Sequence, residues 1–336
     1  DWSSDVCSSD LIFHSLLLFA ALYTTSEAIS FEQWKAKHGM VMSPVEELRR
    51  RAIFMDNAHY VNEVNTQQSG FVCSLDGPFS AMTNEEYNAL LNPITPSQAE
   101  TVTKAAVANS DDKGIDYRQF EGRSFVTKVK NQGSCASCYA FASVAALETS
   151  LMLSHRELDD ESAALSVGDV LSCSFAYGNK GCQGGLITST YQYMSENGIS
   201  SDKDFPYHAK DTTCYNTRKV AKVDKYKTVR PEGGNDAFVK QVVREHGAVT
   251  TAMDASHLSF QMYHRGIYRD SKCKISKMNH AVAIVGYGYE NGESYYIVKN
   301  SWGLAWGEEG YFRIQSSDDM CGLSYEITYI ESASLI

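Results

Sequence analysis

The sequence predicts an α+β protein of two lobes, set behind a helical N-terminal segment. Three observations predict it. From Cys138 the apolar residues Tyr139, Phe141, Val144, Leu147 and Leu151 recur every three or four positions, the period of a helix. From Val220 onward the pattern becomes strand-like, broken by one helix at Asp236–Glu245. Well before either, Glu46, Arg50, Phe54, Asn57, Val61 and Asn65 are spaced to share one face of another helix.

Taken in order, Asp1 to Asp10 repeats Ser-Ser-Asp and reads as a non-native scar. Leu11 to Tyr23 is apolar but too short to span a bilayer, and Ser26-x-Ala28 follows it. Residues 11–28 therefore read as a signal peptide cut after Ala28. Residues 29–110 form a leading helical segment. Thr83-Asn84-Glu85-Glu86 opens a short helix through Leu91, and Asn92-Pro93 stops it. Ser97 to Asp112 is polar and aperiodic, an exposed linker suited to proteolysis. The remainder, 111–336, divides into a helical lobe over roughly 117–219 and a β lobe over roughly 220–336. In the first, Leu165–Leu171 and Tyr191–Asn197 are short helices, the second stopped by Gly198. In the second, strands are expected at Val220–Val229, Ala248–Met253, Val282–Gly286, Tyr295–Lys299, Tyr311–Ile314 and Tyr325–Ile330.

The 336 residues carry a net charge of −11 with both signs interspersed, which argues against a nucleic-acid partner. After the leader no stretch is long and apolar enough for a membrane anchor. Of nine cysteines, seven follow residue 130, so six can pair and one is left over. That arithmetic suits an oxidising compartment, but spacing leaves the pairing open.

The stretch Gln132-Gly133-Ser134-Cys135-Ala136-Ser137-Cys138 is a loop opening a helix. It puts Cys138 in a first turn, where unpaired N–H groups and the helix dipole favour a thiolate. By itself Cys135-x-x-Cys138 also fits a redox pair, half a metal site or two structural cysteines. The chain offers no second close Cys/His pair for zinc, so neither metal nor cofactor is expected. Downstream come Asn279-His280-Ala281, running into an apolar strand, and Asn300-Ser301-Trp302-Gly303 at the end of another. Cys, His and Asn in this order and at these gaps, with Gly181-Cys182-Gln183-Gly184-Gly185, resemble the papain family of cysteine proteases. Within it the chain resembles the amoebal members, with Tyr139 after the cysteine and the Gly77-Pro78-Phe79 segment.

The resemblance implies a two-lobed papain-like fold, helical on the left and β-barrel-like on the right, made as a zymogen. It implies Cys138 as nucleophile and His280 as proton carrier, resting as a thiolate–imidazolium pair. Asn300 would orient His280, and Gln132 would bind the oxyanion. It implies disulfides Cys135–Cys182, Cys173–Cys214 and Cys273–Cys321. Substrate would meet Gly184, Gly185, Leu186, Ile187, Ala252, Asn279 and Trp302, with Glu326 ending the pocket for the P2 side chain. Without the resemblance Glu326 reads as a solvated surface charge. Glu46, Arg50, Phe54, Asn57, Val61 and Asn65 match the pro-segment helix signature, with valine at 61 for the usual isoleucine. The second pro-segment motif keeps Phe79, with Gly77 and Ala81 in place of asparagine and aspartate. Expected partners are protein and peptide substrates, the chain's own pro-segment as inhibitor, and cystatin-like inhibitors. A monomer in the secretory pathway is expected, secreted or held in a lysosome or digestive vacuole. The alternatives are a same-fold exopeptidase or a catalytically silent binding homologue.

Overall fold

The computed structural model of the protein describes residues 29–67, 70–103 and 112–336. The expected scar, the signal peptide and the cleavage junction near Asp111 lie outside the described residues. The leading segment folds as α1 (Phe31–Lys37), α2 (Pro44–Gln67), β1 (Phe71–Cys73), α3 (Asn84–Asn88) and β2 (Glu100–Val102). Reciprocal caps start two of these, Ser30 with Gln33 and Thr83 with Glu86. The predicted face of α2 is the docked one. Phe54, Asn57 and Val61 are buried, and Arg50 binds Glu46 at 2.5 Å, Glu86 at 2.5 Å and the Ala81 carbonyl at 2.9 Å. The Asn57 amide donates to the carbonyls of Ser80 and Met82. Asn65 exchanges two hydrogen bonds with the backbone of Cys73.

The rest of the chain runs β3 (Ile115–Asp116), α4 (Cys138–Ser154), α5 (Val167–Cys173), α6 (Ile187–Asn197), β4 (Ile199–Ser200), β5 (Lys219–Pro231), α7 (Asp236–His246), β6 (Val249–Met253), α8 (Leu258–Gln261), β7 (Tyr263–Tyr268), β8 (His280–Glu290), β9 (Glu293–Lys299), β10 (Tyr311–Gln315) and β11 (Ile327–Leu335). The six expected strands and the helix between them are present. The sequence missed β7, whose sole internal glycine, Gly266, lets the backbone of Gly70 approach too closely for any Cβ. The apolar stripe of α4 is wider than its period suggests: every residue from Cys138 to Met152 is buried. A helix apolar or small all round belongs between two layers. The residues around Phe120 to Phe125 form a tight hairpin through Glu121 and Gly122, both at positive φ. Arg123 and Arg156 lie over the Phe125 ring, fastening the hairpin to the chain just after α4.

Among the described residues one sheet of eleven strands has the main path β1-β7-β10-β9-β8-β6-β11-β5-β2. The expected barrel does not close, because both ends of the path are leading-segment strands. β1 pairs antiparallel with β7, and β2 pairs parallel with β5. The expected bare linker from Ser97 therefore carries a strand. Backbone pairing to an open edge requires no side-chain pattern, so periodicity could not announce it. Two main cores result. One packs α4 against α5, α6, β4 and the inner faces of β5 and β11. The other runs from Phe31, Trp34 and Phe54 through Tyr87 to Trp302, Trp306 and Phe312, so the leading segment shares the core of the β lobe.

Candidate active site

α4 begins at Cys138, after Ser137, which makes no side-chain cap. The N–H groups of Ala281, Tyr139 and Cys138 itself turn toward the sulfur. His280 opens β8 and Asn300 follows β9; the two strands pair antiparallel, which brings their ends together. His280 Nε2 lies 2.8 Å from Asn300 Oδ1, so it donates to the amide oxygen. Nδ1 is buried with no partner. The Trp302 ring stacks on His280 with centroids 4.5 Å apart and is itself buried.

Gln132 is held on three sides. Its N–H donates to the Ser301 carbonyl at 2.8 Å, its Oε1 accepts from the Ser301 hydroxyl at 2.6 Å, and its Nε2 donates to the Cys135 carbonyl at 2.9 Å. One Nε2 hydrogen remains, since an amide carries two. Sequence reasoning quoted Ser301 in a motif without seeing that it fixes which way this amide points. The disulfides are Cys135–Cys182, Cys173–Cys214 and Cys273–Cys321. The first ties the Gln132 loop to the glycine loop. Cys73 and Cys138 are the free cysteines among the described residues, and both are buried.

His280 Nδ1 makes no hydrogen bond to Cys138 in this form of the protein. Desolvation pushes the Cys138 thiol up to about 11, although three backbone N–H groups pull it down. Desolvation likewise pushes His280 down to about 4, against the pull of Asn300. Burial thus disfavours the charged form of each group, and residues of the leading segment add to that burial. Asn92 donates from its backbone to the Asn279 carbonyl at 3.1 Å, and Ile94 to the Met278 carbonyl at 2.9 Å. Ile94 packs on Cys138, Ala142 and Ala281. Phe79 meets Trp302 edge to face at 5.2 Å. None of Ile94, Tyr87 and Ser301 was assigned a role from the sequence, because each acts through what the fold sets beside it.

Gly184 follows a tight turn: its N–H bonds the Gly181 carbonyl and its C=O accepts from Lys180. Gly185 lies against Tyr139, where a Cβ would come within 2.4 Å of Asn179 Oδ1 and 2.7 Å of the Tyr139 ring. Tyr139 is more than a packing change, since its hydroxyl donates to the Gly181 carbonyl at 3.1 Å. Leu186, Ile187, Ala252 and Glu326 line one pocket together with Met278 and Thr328, and Ile94 to Ser97 of the leading segment line it too. Asn279 accepts from the Ala255 N–H through Oδ1, bracing the pocket wall. The Glu326 carboxylate does not swing free: Oε2 is 3.1 Å from Arg230 Nη2, and Oε1 accepts from the Ser97 N–H at 3.0 Å.

Residues 112–331 match the papain family cysteine protease domain, and residues 31–87 match the cathepsin propeptide inhibitor domain. Fold, cleft and covering segment thus define a thiol peptidase held as its precursor. Cysteine proteinase 1 of Entamoeba histolytica is 38% identical over 317 residues, spanning 94% of this chain and 98% of its own. Procathepsin L of Mus musculus is 36% identical over 311 residues, spanning 89% and 90%. Among solved structures, digestive procathepsin L 3 of the Tenebrio molitor larval midgut superimposes with a TM-score of 0.78 at 32% identity, covering 89% of this chain and 97% of that one. The chain belongs to the papain family of cysteine proteases. It is the zymogen of a cysteine endopeptidase, and residues ahead of the catalytic domain are its intramolecular inhibitor.

Proposed function

We propose that Cys138 is the nucleophile, His280 its proton carrier, Asn300 the group that orients His280, and Gln132 an oxyanion donor. The observation that carries this reading is Cys138 at the head of α4, under a stretch of the chain's own peptide backbone. When that stretch leaves, water and substrate return, the desolvation penalty falls, and the thiol can pass its proton to His280. The thiolate then attacks the scissile carbonyl. The oxyanion meets the Cys138 N–H and the second Gln132 Nε2 hydrogen. His280 protonates the leaving amine, and water later releases the acyl group. The Asn300 amide fixes the tautomer without adding a negative charge that would compete for the imidazolium.

The substrate-binding surface follows from the residues around the cleft: Gly185 beside the substrate backbone, Leu186, Ile187 and Ala252 as apolar walls, and Glu326 at the far end. Leucine and arginine are both accepted at P2. Trp302 shields the His280–Asn300 hydrogen bond, supported by the stacking distance. The uncovered cleft is the surface a cystatin-like inhibitor would plug, and the mature enzyme acts as a monomer. Three disulfides support a secretory route, ending in secretion, a lysosome or a digestive vacuole.

The test uses matured protein and an internally quenched peptide blocked at both ends. Cleavage is expected, with mass gained at Cys138 after treatment with a thiol-alkylating epoxide. Cys138→Ser should abolish turnover with the fold intact, because this pair does not ionise a hydroxyl. Activity within about tenfold of the parent would refute the assignment.

A further inference from the structure

The register of β11 on β5 sets Ile327 opposite Val229, which brings Glu326 beside Arg230 across the same strand pair. Arg230 reaches Glu326 at 3.1 Å, and its guanidinium lies 4.6 Å over the Tyr325 ring. All three residues belong to the catalytic domain, and the contacts among them are made within it. Ser97 reveals what the pair takes as a guest. Its N–H donates to Glu326 Oε1 at 3.0 Å, while its C=O accepts from Arg230 Nη2 at 3.0 Å. One donor and one acceptor are satisfied side by side, and no charge enters.

We propose that Arg230 is a specificity-determining residue, which makes the end of the P2 pocket select a neutral carboxamide or ureido group over a guanidinium. The inference rests on the endopeptidase reading above and refines its P2 preference. A guanidinium carries donors only and finds nothing to accept from Arg230. To reach Glu326 it must displace Arg230 from both the carboxylate and the Tyr325 ring, or lie against a like charge. A ureido or carboxamide group offers a donor to Glu326 and an acceptor to Arg230, as Ser97 does with its backbone. Leucine touches neither and fills only the apolar part of the pocket.

The test compares kcat/KM of the mature enzyme on four fluorogenic dipeptides that differ only at P2: leucine, glutamine, citrulline and arginine. Citrulline has the length of arginine with an oxygen in place of one nitrogen, so the two differ in charge and hydrogen bonding alone. Citrulline should exceed arginine by about tenfold. Arg230→Met should shift that ratio toward arginine by about tenfold or more, while Arg230→Lys should keep the citrulline preference. A wild-type enzyme that prefers arginine overturns the inference whatever the variants do. So does an unchanged citrulline-to-arginine ratio in an Arg230→Met enzyme that still cleaves the leucine peptide. If the wild type fails even on leucine, the endopeptidase reading falls, and this one with it.

Discussion

Asn300 shows how little a side chain's identity says without its neighbours. It touches His280 through Oδ1, and its Nδ2 is buried without a partner. In the proposed mechanism it holds the ring, so Asn300→Ala should lower kcat by about tenfold or more, with KM within about twofold. Steady-state kinetics on one peptide checks this, and an effect confined to KM would make Asn300 a substrate contact. Gly185 is constrained more tightly still. A methyl there meets Asn179 Oδ1 and the Tyr139 ring at distances that force both to move. Gly185→Ala should therefore lower kcat/KM and the melting temperature together. A variant with unchanged melting and kinetics would show that the loop yields freely.

At the scale of elements, α2 and α3 are latched by two arginines, Arg49 and Arg50, that share Glu86. Arg50 joins Glu46 of its own helix to Glu86 of the other. Desolvation alone would raise the Glu86 carboxyl, but hydrogen bonds from Arg50, the Thr83 N–H and Arg49 outweigh it and hold it below its ordinary value. A carboxyl depressed in the folded state contributes stability that is complete above its unfolded value, near 4.5, and is lost as pH falls through the folded one. Acid therefore loosens the inhibitory segment, and maturation of the purified zymogen should speed up below about pH 5. Glu86→Gln should mature faster at neutral pH and lose most of the acid acceleration. Equal rates at pH 7 and at about pH 3.5 in the parent would reject the latch.

For the molecule as a whole, covering the cleft governs reactivity. Burial raises Cys138 to about 11 and lowers His280 to about 4, both of which disfavour the thiolate at neutral pH. Iodoacetamide at pH 7 should label Cys138 at least about a hundredfold faster after maturation than before, read by mass spectrometry. Equal rates would mean that the segment does not desolvate the pair. The β lobe responds to acid in the opposite sense. His257 Nδ1 lies 2.7 Å from Asp270, with Asp254 at 3.8 Å from Nε2. The hydrogen bond to Asp270, working against desolvation, raises the imidazole above 6.5. Its stabilisation is full below that unfolded value and is lost as pH rises through the folded one. The mature enzyme should melt higher at pH 5.5 than at pH 8, and His257→Gln should shrink the difference.

The order Cys138, His280, Asn300 and the periods of α2, α4 and the β lobe were legible because each is a local pattern or a fixed spacing along the chain. So was the docked face of α2, once the family motifs supplied the alignment. What periodicity could not carry was pairing between segments far apart in sequence. β1 and β2 cap the two ends of the sheet's main path through backbone hydrogen bonds, which leave no side-chain signature. Arg230 stands by Glu326 only because β5 and β11 meet in one register. The charge state of Cys138 and His280 is likewise a tertiary property, since the water that would ionise them is excluded by residues more than forty positions earlier in the chain. Sequence determined which groups are present and which elements carry them. The tertiary structure decided which of them are dry, which are paired, and which face a guest.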